Sequence, residues 1–213
     1  MANKQKETTQ DNLVILIGRI TKMSTKGKIT SFKVKIPHRG KDGAVQAHFP
    51  KIICFEEDKT GIMDFVAGDS VKITGHIVNT RKRTAEGAYF YSQAIIGDKV
   101  EKNESLYLTQ MNLPDVDFMS AQPVSLVYLH GVVENIARAG EKALRIRLNA
   151  MQNGRNNHVE VVSYQKDAML VHPGDTITVY GKIETRSKEV GDSWRVYQNV
   201  ITQRIVNNSA EET

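Results

Sequence analysis

AGDSVKITGHIVNTR (67–81) returns as PGDTITVYGKIETR (173–186). Each segment has Gly-Asp, an alternating run, a glycine seven residues after the first, and Thr-Arg shortly beyond. A second pair precedes it in the same order: LVILIGRI (13–20) and LVYLHGVV (126–133) are apolar runs with a glycine five residues after the leucine. A third pair follows. After Thr80-Arg81 the chain continues toward RTAEGAYFYSQAII, and after Thr185-Arg186 it reads SKEVGDSWRVYQNVI, which matches Tyr89 to Trp194 and Ile95 to Val200. Three ordered anchors are an internal duplication. Gly18 and Gly75 are 57 residues apart against 50 for Gly131 and Gly181, so the first copy carries the longer internal loop.

Both copies read as strand. The first offers runs at 12–23, 29–37, near 45–55, 70–79 and 88–96; the second at 125–137, 142–150, 158–164, 175–184 and 193–205. They alternate or are rich in β-branched residues, with Gly, Asn, Asp and Lys between them. Alternation lapses around EDKTGIMDFV and YQKDAMLV, where a short helix fits before the fourth strand. Five strands with such a helix describe the oligonucleotide-binding (OB) barrel. The predicted class is therefore all-β, two tandem OB-fold five-stranded barrels, each with one short helix. The expected organisation is a disordered N-terminus at 1–10, barrels at 11–98 and 124–206, a surface-running linker at 99–123, and a disordered end at 207–213.

The 213 residues carry a net charge of +5, 40% of them hydrophobic, as in a folded soluble protein. No apolar run approaches the roughly 20 residues of a membrane helix. MANKQKETTQDN lacks a secretory hydrophobic region, so the expected location is the cytoplasm. Cys54 alone permits no intrachain disulfide and no cysteine-rich zinc site. The histidines lack ligand spacing, no glycine loop suits a nucleotide phosphate, and no nucleophile pairs with a base. No metal, cofactor or enzymatic activity is expected.

Charge is uneven. Residues 1–113 are net +6 and residues 114–213 net −1; between Arg19 and Lys41 stand eight basic residues and no acid. In SFKVKIP, Lys33 and Lys35 alternate with Phe32, Val34 and Ile36; in ALRIRLN, Arg145 and Arg147 alternate with Leu144, Ile146 and Leu148. Alternate side chains point to opposite faces, so these cations stand outside their barrels. A field of one sign attracts a phosphate backbone. Single strands are held by bases stacked on aromatic rings while cations track the phosphates. The phosphate-contact set is Arg19, Lys33, Lys35, Arg81, Lys82, Arg83, Arg145, Arg147 and Arg186. Tyr89 and Trp194 lead the stacking set, with Phe90, Tyr91, Phe49, Phe55 and Tyr164 extending it. A structural place in the barrel is the competing reading for each ring.

NLVILIGRI, GDSVKITGHI and YFYSQAI resemble the bacterial and phage single-stranded DNA-binding proteins. Those proteins typically begin Asn-x-Val-x-Leu-x-Gly-Arg, matched here by Asn12, Val14, Leu16, Gly18 and Arg19; the second copy keeps Val127, Leu129 and Gly131. The resemblance implies sequence-independent binding of single-stranded DNA, coating and protecting it in replication, recombination or transfer. RNA is a second ligand that stacking admits. It also implies a homodimer of two-barrel chains. The chain ends NNSAEET, without the acidic tip by which bacterial members recruit partners, and this favours a phage or mobile-element protein of the host cytoplasm. The rival reading is an accessory replication or conjugation module whose second barrel binds protein.

Overall fold

The computed structural model describes residues 11–40, 42–55, 60–83, 87, 89–103, 125–152, 154–190 and 193–209, without the side chains of 39, 80–83, 89–91, 167, 188, 190 and 193–195. Among the described residues eleven strands form one continuous sheet system. The first copy supplies β1 (Asn12–Lys26), β2 (Ile29–Arg39), β3 (Val45–His48), β4 (Lys51–Phe55), β5 (Ser70–Arg83) and β6 (Tyr89–Lys102). The second supplies β7 (Ser125–Arg138), β8 (Leu144–Asn149), β9 (His158–Ser163), β10 (Thr176–Val190) and β11 (Ser193–Asn207). β1 pairs with both β2 and β5, closing a barrel through β4 and β6. β7 closes the second barrel through β8, β9, β11 and β10. Single 3-10 turns at Ile62–Asp64 and Lys166–Leu170 stand where the helices are expected.

Alternation builds the cores. Val14, Leu16, Phe32, Val34, Ile52, Ile73, Ile77 and Ile95 fill the first, and Val127, Leu129, Ile146, Leu148, Val161, Val179 and Ile183 the second. The anchor glycines mark close backbone approaches. A Cβ on Gly18 would lie 2.5 Å from the Lys35 carbonyl oxygen, and one on Gly181 2.6 Å from that of Ile201; at Gly75 and Gly131 the approach is closer still. Only glycine fits where a strand bends around so small a barrel. The ladders slip at equivalent places in both copies, Ile20/Lys22 with Val133/Asn135 and Thr74/Gly75 with Tyr180/Gly181. Asn12 explains the opening motif: its buried amide donates to the Ile77 carbonyl at 2.7 Å and accepts the Ile77 N–H at 3.0 Å. Ser125 does part of this in the second copy, accepting the Ile183 N–H.

Three expectations are corrected. The segment near 45–55 is two strands, broken at Phe49-Pro50 because proline has no N–H to donate; β3 pairs with the end of β2, and no named strand matches it in the second copy. β5 and β6 run farther than expected, so Arg81–Arg83 lie on a strand and Gly87, with φ 87°, lies in the turn. β6 also continues to Lys102, into the stretch read as linker, while 104–124 lie outside the described residues, as do 1–10 and 210–213. Among the described residues no helix is long and apolar enough to cross a membrane.

The barrels meet about a local two-fold relation. β1 and β7 pair antiparallel, with Val14 opposite its own counterpart Val127. Gln93 of β6 exchanges two hydrogen bonds with the Glu160 backbone, at 2.9 and 2.7 Å. Its counterpart Gln198 accepts the Lys51 N–H at 2.9 Å. Each barrel thus ties its last strand to the third barrel strand of the other.

Candidate nucleic-acid interface

The outer face of β2 and β4 is the surface on which this barrel type takes oligonucleotides. Register defines it here. Lys33 stands opposite Lys22 on β1 and opposite Lys51 on β4, while Arg19 stands opposite Lys35. Lys22, Lys35 and Lys51 are exposed, and Lys33 is half-buried. None of these four lysines makes an ion pair among the described residues. Like charges directly opposite each other destabilise a sheet. An anion lying across the row would relieve that repulsion.

The second barrel differs. By register Arg147 matches Lys33, since it faces Asn135 beyond the bulge and Glu160 on β9. Arg145 therefore occupies the place of Ser31, and Lys35 is matched by Asn149; the lysine and arginine pairs are offset by two residues from the equivalence expected of them. Arg147 lies 3.1 Å from Glu134, which also binds His158 at 2.8 Å, and Arg145 lies 3.9 Å from Glu160. Arg186 is exposed and 3.5 Å from Glu184. Burial pushes the Glu184 carboxyl up, but the hydrogen bond and charge of Lys182 outweigh it and leave the group below its usual range.

The rings separate. Phe55 ends β4 and Tyr164 follows β9 at the matching place, 37% and 52% exposed, away from the β5–β6 turn. Phe49 is 39% exposed and donates its N–H to Thr185 Oγ1 of the other barrel at 2.8 Å. Beside it, His48 Nδ1 accepts the Thr185 N–H at 3.2 Å and its ring stacks on His38 at 4.0 Å. Burial and the His38 charge hold the His48 pKa below its ordinary value.

Tyr89, Phe90, Tyr91 and Trp194 are placed by backbone alone, and their side chains, with those of Arg81, Lys82 and Arg83, lie outside the described residues. Register sets Arg83 opposite Tyr89, Lys82 opposite Phe90 and Arg81 opposite Tyr91. On the other arm Trp194 faces Glu189, and Arg186 faces Tyr197, an exposed ring that sequence reasoning missed. Lys22 and Lys51 were also missed; only register reveals that they flank Lys33. Among the described residues no cluster of His, Cys, Asp and Glu could hold a metal.

Wild-type single-stranded DNA-binding protein from Thermus aquaticus superposes with a TM-score of 0.61 at 15% identity, over 92% of each chain. This chain shares its fold. A deletion mutant of the same protein matches equally well, with a TM-score of 0.61 at 13% identity over 92% of this chain and 93% of that one. The correspondence to the Thermus aquaticus protein therefore runs through both barrels rather than one. No protein-family model matches the chain, and no curated protein sequence does.

Proposed function

We propose that this chain binds single-stranded DNA without regard to sequence and coats it during replication, recombination or transfer, as a protein of a phage or mobile element. The lysine row Lys22–Lys33–Lys51 carries the reading, because it lies on the β2–β4 face with Lys35 beside it and makes no ion pair among the described residues. Exposed Phe55 at the end of β4 offers a stacking surface on that same face. Rings in the hairpin arms, Tyr89 and Trp194 foremost, add stacking worth roughly 1–3 kcal/mol per base, indifferent to which base it is. Arg19, Arg81, Lys82 and Arg83 extend the cationic surface. Binding of this kind needs no cofactor and no reaction.

Fluorescence anisotropy with labelled poly-dT, a mixed-sequence oligomer and a duplex of equal length tests the proposal. Similar affinity for both single strands and much weaker duplex binding support it. Equal affinity for duplex, or no binding at low salt, overturns it. Poly-U in the same assay reports how far RNA shares the site.

The chain pairs with a second copy in this reading. Support comes from the outer face of the sheet spanning β1, β7 and β10. Ile15 faces Leu126, Leu13 faces Tyr128 and Tyr128 faces Tyr180 across those strands, with Leu126 and Tyr180 still exposed. Two-fold pairing is the commonest way to cover such a face. Light scattering at several concentrations is expected to give twice the chain mass; a constant mass of one chain overturns the dimer. The ion-paired face of the second barrel favours one alternative, in which that barrel serves a protein partner.

A further inference from the structure

We propose that Glu134 and Glu160 are resident counter-anions, holding on the second barrel the place that nucleic-acid phosphates take on the first. The inference rests on the single-strand-binding reading and deepens it by assigning the phosphate track to one barrel.

The two barrels present the same three-strand row with opposite chemistry. On the first it reads Lys22, Lys33, Lys51; on the second, Asn135, Arg147, Glu160. The bulge residue repeats the contrast. Thr21 occupies it on the first barrel and bonds the Lys33 carbonyl through its hydroxyl, whereas Glu134 occupies it on the second and pairs with Arg147 at 3.1 Å and His158 at 2.8 Å. Glu160, in the place of Lys51, lies 3.9 Å from Arg145. Two carboxylates thus answer two arginines where the first barrel has cations and no acid. A phosphate approaching Arg147 must displace Glu134 and then sit beside two negative groups. Approaching Lys33, it enters a field already short of anions. A bound strand is therefore held by charge on the first barrel and crosses the second by stacking, with Tyr164 and the β10–β11 arm available for bases.

Both rows sit beside the joint between the barrels, Glu160 held through its backbone by Gln93 and Lys51 by Gln198.

The test uses the full chain and a labelled dT oligomer of about 32 nucleotides, enough for two barrels at up to about 16 nucleotides each. Affinity is measured from about 50 to 200 mM salt, with a thermal melt beside each titration. The Glu134→Gln, Glu160→Gln double variant removes both carboxylates from beside the two arginines. Its log–log salt slope is expected to steepen by about 0.7 per phosphate gained, so its loss of affinity over that range grows about sevenfold relative to wild type. Lys51→Glu, which puts the second barrel's acid into the first, is expected to flatten the slope. A merely structural pair would move the melt and leave the slope alone. If wild type binds and the double variant keeps the wild-type slope, the inference is overturned. Should the double variant fail to fold, Lys51→Glu decides alone, and an unchanged slope there overturns it. Wild type that does not bind at all overturns the single-strand reading itself.

Discussion

Asn12 and Gly75 show how single residues close a barrel of this size. Asn12 is fully buried and satisfies both backbone groups of Ile77. Asn12→Ala leaves the Ile77 N–H without this buried acceptor, while the carbonyl keeps the Asn157 amide at 2.6 Å, and is expected to cost about 1–3 kcal/mol, read as a lower urea midpoint with unchanged m-value. A Cβ on Gly75 would meet the backbone carbonyl of Ile96, which no side-chain adjustment relieves. Gly75→Ala is therefore expected to destabilise by about 1–3 kcal/mol or more in the same assay. His48 supplies a pH dependence. Its folded pKa lies below the ordinary 6.5, so the unfolded chain binds the proton more readily. Its contribution is complete above about pH 6.5 and is lost as pH falls from there through the lower folded value. Melting temperature is expected to drop across that interval, and less steeply in His48→Gln; identical profiles would contradict the assignment.

At the scale of elements, ten of the eleven strands were legible because period-two alternation is strict wherever one face is buried. The hidden one, β3, is four residues long with an exposed or half-buried pattern, so nothing apolar marks it. The arm strands were read short for a related reason. TRKR and YFY show no apolar alternation in the sequence, and cross-strand register is what places 80–83 on β5 and 89–91 on β6. Lys33 and Lys35 could be placed from the sequence, since Phe32, Val34 and Ile36 set the inward face. Their neighbours could not: Lys22 comes opposite Lys33 through a bulge and Lys51 through a pairing between strands, and a linear pattern encodes neither. The arms carry their own prediction. Trp194 is the chain's single tryptophan, and the account places it at the β10–β11 arm where bases stack. Saturating poly-dT is expected to quench its emission, and Trp194→Ala to weaken binding by roughly 1–3 kcal/mol with the salt slope unchanged. Weak binding together with a large fall in melting temperature would place the ring in the core instead.

For the whole molecule, duplication supplied two frames and divergence gave them different surfaces. The cores, bulges and glycine contacts are shared, because closing a small barrel ties strand number, stagger and tilt to one another. Outer faces are free of that constraint, and there the copies part: net +6 in residues 1–113 against −1 in 114–213. The difference becomes local in the structure, where the row Lys22–Lys33–Lys51 makes no ion pair among the described residues and its counterpart is neutralised from within. Binding is therefore expected to be strongly salt-dependent and governed by the first barrel. The most direct test replaces Lys22, Lys33 and Lys51 together with alanine and titrates a labelled dT oligomer from about 50 to 200 mM salt. Expected are weaker binding, a log–log slope shallower by about two units at roughly 0.7 per lost phosphate contact, and a melting temperature no lower than that of wild type, since the like-charge repulsion across the strands is removed. A variant that binds with the wild-type slope would contradict it.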